Sequence, residues 1–415
     1  MPNIKEKIIR HKTLFQNLTY LSVLQLFNVL LPIFTYPYLI RTLGKEIYGL
    51  VIYAQAVVSY LVLMVGFGFN ISATKEISIH RDNKLKLSEI VSSVLIIKGV
   101  LFLVAMIIIT LIVIIAPDIK QHGLLFYLTM WLCIYEFIFP VFYFQGIEKM
   151  KYITYLTLVS RLLFLTLIFV FVHSKQDYLK VPILSGVGAI IAGLLSQYIL
   201  YKDGIYIKLQ SISTLKYYIK NSYVMALAYA SNAFKYNFNL ILVKLFFSYS
   251  EVAYFDLALK ISNIGNTFLD LISQSIFPKM SREKDSKFLV KVIKISLLIS
   301  FVFILFIQFF SNQIVILLGG ADMLSAVNIL RVIVFFIPIY ILGALLGRNC
   351  LIVHGFDKNV LLSMFYSSLL YVLILSFFYY FKINISLVTL TIIFIFSYIF
   401  ESLYRFYLCK KFKIL

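Results

Sequence analysis

Long apolar stretches recur along the whole chain and are separated by short polar connections. Each stretch is at least as long as the roughly 18 to 20 residues that a helix needs to cross a hydrocarbon core of about 30 Å. None of the connections is long enough to house a separate soluble domain. The pattern predicts an all-α integral membrane protein with about twelve transmembrane helices, at roughly residues 16–40, 48–69, 90–115, 123–145, 152–173, 180–201, 222–247, 252–277, 289–311, 326–349, 359–381 and 385–408.

Composition supports this class, and the distribution of charge predicts an orientation. Hydrophobic residues make up 61% of the chain and charged residues 13%, which is too apolar for a soluble globule. Of the 38 Lys and Arg, 26 fall on the side of the termini, 6 on the opposite side and 6 within the spans. The positive-inside rule places both termini in the cytoplasm. The net charge of +20 therefore indicates topology and contact with anionic lipid, not a nucleic-acid partner.

A weak internal repeat indicates two similar halves. A shift of 204 residues lays Gly49 over Ala253, in spans two and eight, and brings Lys75 onto Lys279. Six spans in each half start from the same side of the membrane, so such a repeat is parallel. We predict two six-helix bundles, residues 1–205 and 206–415, which are related by a pseudo-two-fold axis along the membrane normal. A pathway between the bundles is the natural place for a substrate.

A polar stripe runs along span eight. Six polar residues follow one another at steps of 4, 3, 4, 3 and 4, which keeps them within about 40° of one line along the helix. Charged groups on that line are too costly to face lipid, so the stripe must face protein or water. We favour the lining of a cavity over a structural buried network. The stripe consists of Asp256, Lys260, Asn263, Thr267, Asp270 and Gln274.

Other spans carry isolated cations. Lys235 lies near mid-depth in span seven, and Arg161 lies about 15 Å into span five. We interpret both as cations that face the substrate, with interhelical salt bridges as the alternative. Lys98 and Arg331 lie nearer the interfaces, where snorkelling of the ammonium or guanidinium group to water is an equal alternative. With Lys260, these residues are the candidate substrate-binding cations.

Uncharged polar groups and one carboxylate complete the candidate site. Glu136 stands one turn before Pro140 and could couple an ion or pair with a neighbouring cation, as could Asp256 and Asp270. Cations within the spans outnumber these carboxylates six to three, which predicts a positive cavity suited to a phosphate or pyrophosphate. The uncharged lining residues are Asn232, Asn239, Gln25, Asn28, Gln55 and Ser59, in addition to those of span eight.

Sequence motifs of soluble enzymes are missing. The chain has no P-loop, GxSxG, HExxH or CxxC motif, and Cys133, Cys350 and Cys409 show no metal-ligand spacing. We therefore expect no catalytic residues, no metal and no cofactor. Close helix packing is predicted around Gly186–Gly193 and around Gly343 and Gly347.

Residues 37–78, PYLIRTLGKEIYGLVIYAQAVVSYLVLMVGFGFNISATKEIS, resemble the signature of the Wzx O-antigen flippases. These form part of the polysaccharide transporter family within the multidrug/oligosaccharidyl-lipid/polysaccharide exporter superfamily. One departure is Gly66, where many members carry an acidic residue. The resemblance implies alternating access across a bacterial inner membrane and an undecaprenyl-pyrophosphate-linked oligosaccharide as cargo. It also implies the bilayer, a polysaccharide polymerase and a chain-length regulator as partners.

Two other functions stay open at this point. A cation-coupled antiporter of drugs from the same superfamily would favour a more acidic cavity. A membrane glycan polymerase or ligase generally displays a large periplasmic loop with reactive residues, and the longest outer connection here is short. The coupling ion, whether proton, sodium or none, is not readable from the sequence.

Overall fold

Helices make up nearly all of the fold. The computed structural model describes residues 4–415, except for the side chains of residues 4–15, 18, 21, 224 and 227–236. Within this part of the chain there is no β-strand. The helices are α1 (Ile4–Gly66), α2 (Phe69–Ile79), α3 (Lys84–Ile115), α4 (Pro117–Lys120), α5 (Gly123–Thr129), α6 (Trp131–Ile138), α7 (Val141–Gly146), α8 (Met150–Phe171), α9 (Lys180–Lys202), α10 (Ile212–Phe246), α11 (Tyr249–Glu283), α12 (Ser286–Gly319), α13 (Ala326–Ile333), α14 (Phe336–Ala344), a π-helix (Leu345–Leu351), α15 (Asp357–Tyr380) and α16 (Leu387–Lys411).

Several helices are long and apolar enough to cross a membrane. Among the described residues, nine stretches meet this condition. One of them, Ser22–Ile79, is 58 residues long and contains both the first and the second predicted span. The predicted span eight, in α11, is not among the nine, because the polar residues of its stripe lower its mean hydropathy. An all-helical, multi-pass membrane architecture is thus confirmed, while the number twelve stays a prediction.

The chain divides into two compact units. Unit 1 contains residues 1–43 and 54–230, and unit 2 contains residues 44–53 and 231–415. Residues 44–53 of α1 follow a kink at Gly44, whose φ of 75° and ψ of 160° leave the helical region. Glycine adopts this conformation without the steric cost that a Cβ would add. The predicted bundle boundary between residues 205 and 206 stays a prediction.

Unit 1 contains two interrupted helices. α1 ends at Gly66, and the left-handed residues Phe67 and Gly68 precede α2. α6 and α7 are separated by Phe139 and Pro140, and the carbonyl freed before this break, that of Ile138, accepts a hydrogen bond of 2.5 Å from Gln197 Nε2. The carbonyl groups in the last turn of a helix have no partner within that helix, so a side chain of α9 satisfies the carbonyl of Ile138.

Small residues let helices approach closely in both units, as predicted. In unit 1 a Cβ on Gly188 would clash with the Ser160 carbonyl of α8. In unit 2 the space beside Gly343 and Gly347 is filled by Ser402 and by the guanidinium of Arg405, both from α16. The small residues of α14 and the π-helix therefore make room for a charged side chain, and not only for a helix backbone.

Residues 44–53 pack against α11 within unit 2. A Cβ on Gly49 would clash with the Tyr249 carbonyl and would lie 3.3 Å from the Ala253 amide nitrogen. A backbone carbonyl cannot move aside as a flexible side chain can. Position 49 consequently tolerates no side chain without a backbone shift.

We expect Gly49→Ala to destabilise the protein by about 1–3 kcal/mol, the usual cost of overpacking a well-packed site. The measurement is thermal unfolding of the detergent-purified protein. Gly99→Ala is the matched control because a Cβ there would meet Phe137 at 3.4 Å, an ordinary contact. Removing that glycine from the interior of α3 should cost nothing or stabilise slightly. Equal effects of the two substitutions would contradict the close approach at Gly49.

Candidate functional site

The polar stripe of α11 begins with a buried cluster of three side chains. Asp256 Oδ2 accepts from Lys260 Nζ at 2.6 Å and from the Tyr48 hydroxyl at 2.8 Å. Lys260 Nζ also donates to the Tyr48 hydroxyl, at 2.9 Å. Tyr48 is 1% exposed and Asp256 is 5% exposed. Asp256 therefore pairs with a neighbouring cation at i,i+4 spacing, and residues 44–53 supply a third member through Tyr48.

The second half of the stripe forms another ion pair. Asp270 Oδ1 accepts from Arg348 Nη1 at 2.8 Å, and its Oδ2 accepts from Gln274 Nε2 at 2.7 Å. Arg348 belongs to the π-helix, whose next residue, Asn349, donates to Ser273 Oγ at 2.8 Å. Between the two pairs, Asn263 Oδ1 accepts from Asn266 and Thr267 is half-buried. Ion pairs and amide contacts thus account for much of the stripe.

In unit 1, Lys98 and Glu136 form a buried pair. Lys98 is 0% exposed, and its ammonium donates to the Glu136 carboxylate at 2.6 Å and to the Glu136 backbone carbonyl at 2.9 Å. Asn70 approaches the same carboxylate at 3.5 Å, and a Cβ on Gly66 would lie 3.1 Å from it. The alternative that Lys98 snorkels to the interface is wrong because its partner lies within the protein.

Arg161 differs from these paired cations. It is half-buried in α8, near the side chains of Tyr36 and Tyr135. No carboxylate among the described residues lies within 4 Å of its guanidinium. Arg331 is exposed and donates from Nε to Ser311 Oγ at 2.9 Å, close to the end of α13. Of these two, only Arg161 combines burial with a charge that no described carboxylate neutralises.

The other predicted lining residues are dispersed. Gln25, Asn28, Gln55 and Ser59 are half-buried in α1, and Ser59 donates to the Ala56 carbonyl of its own helix. Asn239 is fully buried in unit 2 and accepts a hydrogen bond of 2.6 Å from the Tyr371 hydroxyl. Gln274 is exposed. The side chains of Asn232 and Lys235 lie outside the described residues.

Sequence reasoning missed four residues that take part in the buried polar contacts. Tyr48 gave no signal beyond its place in the family-like stretch, because a tyrosine in a span is ordinary. Arg348 lies at the end of the predicted span 326–349, and nothing in the sequence indicates the π-helix that brings it to Asp270. The buried pair of Glu401 and Arg405, with Nη2 and Oε1 2.6 Å apart, could have been found from its i,i+4 spacing.

The polar clusters of the described residues do not form a recognisable catalytic centre. Among the described residues, no group of three or more His, Cys, Asp or Glu is placed to hold a metal ion. The polar clusters consist of paired charges and amides, which bind and orient but offer no nucleophile with an adjacent base. The arrangement is suited to binding charged groups inside an apolar body.

Comparison with known proteins identifies relatives by sequence. The family model described as "Polysaccharide biosynthesis protein" matches residues 14–284. A protein of Escherichia coli (strain K12) named "Putative O-antigen transporter" is 30% identical over 271 residues, which are 65% of this chain and 65% of that protein. A protein of the same name from Shigella dysenteriae is 28% identical over 261 residues, 61% of this chain and 64% of that protein. The match thus spans somewhat less than two thirds of these relatives' length.

Solved structures share the fold at low sequence identity. A structure titled "Inward-facing conformation of a multidrug resistance MATE family transporter of the MOP superfamily" has a TM-score of 0.72 and 15% identity, and the match covers 95% of this chain and 98% of that chain. One titled "Lipid II flippase MurJ, inward closed conformation" has a TM-score of 0.71 and 16% identity, covering 95% and 87%. These likenesses show the fold alone, since drug transporters and a lipid flippase share it.

We expect Lys98→Met and Glu136→Gln each to lower the free energy of unfolding by about 3–5 kcal/mol, because each leaves one buried charge without its partner. The double variant Lys98→Met with Glu136→Leu removes both charges and should cost less than the sum of the single substitutions. Thermal or denaturant unfolding in detergent measures all three.

The matched control is the Lys86–Glu89 pair, which is also close, at 2.7 Å, but has both side chains about one-third exposed. Lys86→Met should cost no more than about 1 kcal/mol, since water screens that pair. A Lys98→Met effect as small as that of Lys86→Met would show that the buried pair does not stabilise the fold.

Proposed function

The chain belongs to the polysaccharide biosynthesis protein family, and from this premise we propose that it is a flippase for a lipid-linked oligosaccharide. The observation that best supports this proposal is the sequence similarity to two proteins named as O-antigen transporters, at 30% and 28% identity. Neither relative is named as an enzyme, and the chain accordingly acts as a transporter. The membrane it occupies would be the inner membrane of a bacterium.

The predicted architecture supplies the route. In our proposal twelve spans form two six-helix bundles, both termini are cytoplasmic, and cargo crosses between the bundles by alternating access. Gly49 and Ala253, which the shift of 204 residues equates, are packed against each other. A two-fold axis between the halves would bring equivalent positions near it into contact, and in this sense the contact supports the proposed pseudo-symmetry.

The cargo we propose is an undecaprenyl-pyrophosphate-linked repeat unit of a surface polysaccharide. Its pyrophosphate needs a counter-charge, while its lipid tail can remain in the bilayer. Lys98, Lys260 and Arg348 each have a carboxylate partner, and so contribute little net charge. Arg161 is the described cation best suited to the pyrophosphate, because it is half-buried and no described carboxylate neutralises it. Lys235 stays a second candidate.

Ion coupling is a weaker part of the proposal. Glu136, Asp256 and Asp270 each accept a hydrogen bond from a basic side chain, so a transported proton or sodium ion would have to compete with that partner. We therefore favour a role in ion pairs, and not in ion transport, for all three carboxylates. Transport that collapses together with one ion gradient would instead support coupling at one of them.

The two alternative functions have less support. A drug antiporter shares the fold, but the sequence relatives are named for O-antigen and not for drugs. A glycan polymerase or ligase would need a reactive centre. Unchanged drug susceptibility in an export-deficient strain that expresses the protein would remove the first alternative. A polysaccharide polymerase and a chain-length regulator remain proposed partners, because they would act on the translocated product.

We expect Arg161→Gln to reduce surface polysaccharide at least tenfold in a flippase-deficient strain, because the substitution removes the proposed counter-charge. Arg161→Lys should retain part of the activity, since it keeps the charge but not the planar fork that binds phosphate groups in two places. Surface polysaccharide is measured at matched levels of membrane-inserted protein.

We do not retain Arg331 as a cargo cation, because it is exposed and donates to Ser311 at the end of α13; Arg331→Gln is therefore the control variant and should leave transport nearly unchanged. Normal polysaccharide with Arg161→Gln would contradict the assignment of Arg161. Loss with all three variants would indicate a general sensitivity of the fold to arginine replacement instead of a cargo contact.

A further inference from the structure

The connection between α9 and α10 is fixed to the body of unit 1. We call residues 204–220, which comprise this connection and the first residues of α10, the surface segment. Its backbone runs along the first turns of α3, where Tyr206 N donates to Ser88 Oγ at 3.3 Å and Lys208 N donates to Ser92 Oγ at 2.9 Å. Ser92 Oγ in turn approaches the Tyr206 carbonyl at 3.4 Å. The surface segment is therefore an ordered part of unit 1.

Two side chains anchor the inner side of the surface segment. Ile205 is 3% exposed and belongs to the hydrophobic core of unit 1. Tyr218 is 2% exposed, and its hydroxyl donates to Glu89 Oε1 at 3.1 Å. With these residues turned inward, the opposite side of the surface segment must face outward.

The outward side of the surface segment is unusually apolar for a connection between helices. Ile207, Leu209 and Ile212 are 58%, 95% and 72% exposed, and Tyr206 and Tyr217 are each about half exposed. Apolar groups gathered on the outside of a protein mark a surface that another apolar phase covers. Loops that meet only water do not gather such side chains, because each one loses the free energy of burial.

The neighbouring helix α9 indicates that the apolar phase covering these side chains is lipid. On α9, one of the apolar stretches long enough to span a membrane, Leu194, Tyr198 and Tyr201 are all about 60% exposed. The ring of Tyr201 packs edge-on against that of Tyr206, with centroids 5.6 Å apart. The lipid-facing side of α9 thus continues without interruption into the surface segment. Tyrosines at such a junction are typical of the membrane–water interface.

Charge on the surface segment has one sign. Lys208, Lys216 and Lys220 are exposed, as is Lys202 at the end of α9. The adjacent acids are already engaged, since Asp203 accepts from Lys149 and Tyr143, and Glu89 accepts from Lys86 and Tyr218. Basic groups beside exposed apolar ones are the pattern of a segment that lies in the interface and attracts anionic lipid.

We propose that the surface segment is a membrane-surface anchor for anionic phospholipid. Ile207, Leu209 and Ile212 enter the boundary between headgroups and acyl chains, and the three lysines contact the negatively charged headgroups. The anchor holds the connection that leads into α10 at a defined depth in one leaflet. This inference does not depend on which cargo the protein moves.

The test places a nitroxide spin label at Leu209→Cys in the full-length protein, reconstituted in phosphatidylcholine vesicles with and without phosphatidylglycerol. The described native cysteines are all buried, and the unsubstituted protein gives the labelling background. Collision with oxygen reports lipid, and collision with a water-soluble nickel chelate reports water. Leu194→Cys serves as the lipid reference, and Asp82→Cys, in the exposed turn before α3, serves as the water reference.

We expect the label at 209 to resemble that at 194, with a nickel collision rate severalfold below that at 82. A rate at 209 equal to that at 82 would overturn the proposal, and would mean that another protein must cover the apolar face. The collision rates are measured on the protein in vesicles and need no transport assay. This test therefore stays valid even if the protein proves not to be a flippase.

A second set of variants tests the lysines. In the labelled protein, phosphatidylglycerol should move the label at 209 deeper, and the triple substitution Lys208→Gln, Lys216→Gln and Lys220→Gln should abolish this shift. The matched control replaces three exposed lysines of α12 in unit 2, Lys287, Lys291 and Lys294, by glutamine and should retain the shift. A shift that survives the first triple substitution would overturn the assignment of the lysines to anionic headgroups.

Discussion

Pairing of charge inside apolar helices is the constraint on which the described structure depends. A lone ion in a low-dielectric interior costs several kcal/mol, and its opposite partner must then be close and well oriented. Lys98, Lys260, Arg348 and Arg405 each contact a carboxylate within 2.8 Å. In the two pairs that join different helices, Lys98–Glu136 and Arg348–Asp270, fixing one partner also fixes the position of the helix that carries the other.

Three of these pairs lie beside an irregularity of the backbone. Tyr48, which bridges Asp256 and Lys260, stands four residues after the kink at Gly44. Glu136 stands four residues before Pro140. An interrupted helix leaves carbonyl groups without partners, and a buried ammonium can satisfy one while pairing with a carboxylate. Lys98 does both at Glu136, where it donates to the side chain and to the backbone carbonyl.

Arg348 is the third case and lies within the π-helix itself. A π-turn inserts one residue into a helix and so changes which side chains share a face. The insertion places Arg348 against Asp270 and the following residue, Asn349, against Ser273. In these three cases backbone irregularity and charge pairing occur together, since the one supplies the geometry and the other offsets its cost.

The sequence predicts the helices well and the pairs poorly, for a physical reason. Hydropathy depends on local composition, so the predicted span 359–381 lies within two residues of α15, and the resemblance in residues 37–78 is confirmed by the family match. The i,i+4 pair of Asp256 and Lys260 was readable because both members share one helix. Lys98 and Glu136 are 38 residues apart, and only tertiary packing brings them together.

The pairs also change what the tally of six cations to three carboxylates implies. That tally predicts a strongly positive interior, yet Glu136 and Asp256 neutralise two of its six cations, Lys98 and Lys260, while Asp270 pairs with Arg348, a cation outside the tally. A transporter must release its cargo as well as bind it, and cargo shifts a conformational equilibrium only through its difference in affinity for the two states. A dense array of unpaired cations would hold a pyrophosphate in both states. Under the proposed function, a single half-buried guanidinium such as that of Arg161 would attract the cargo more weakly, and a change in its surroundings between states would make that attraction state-dependent.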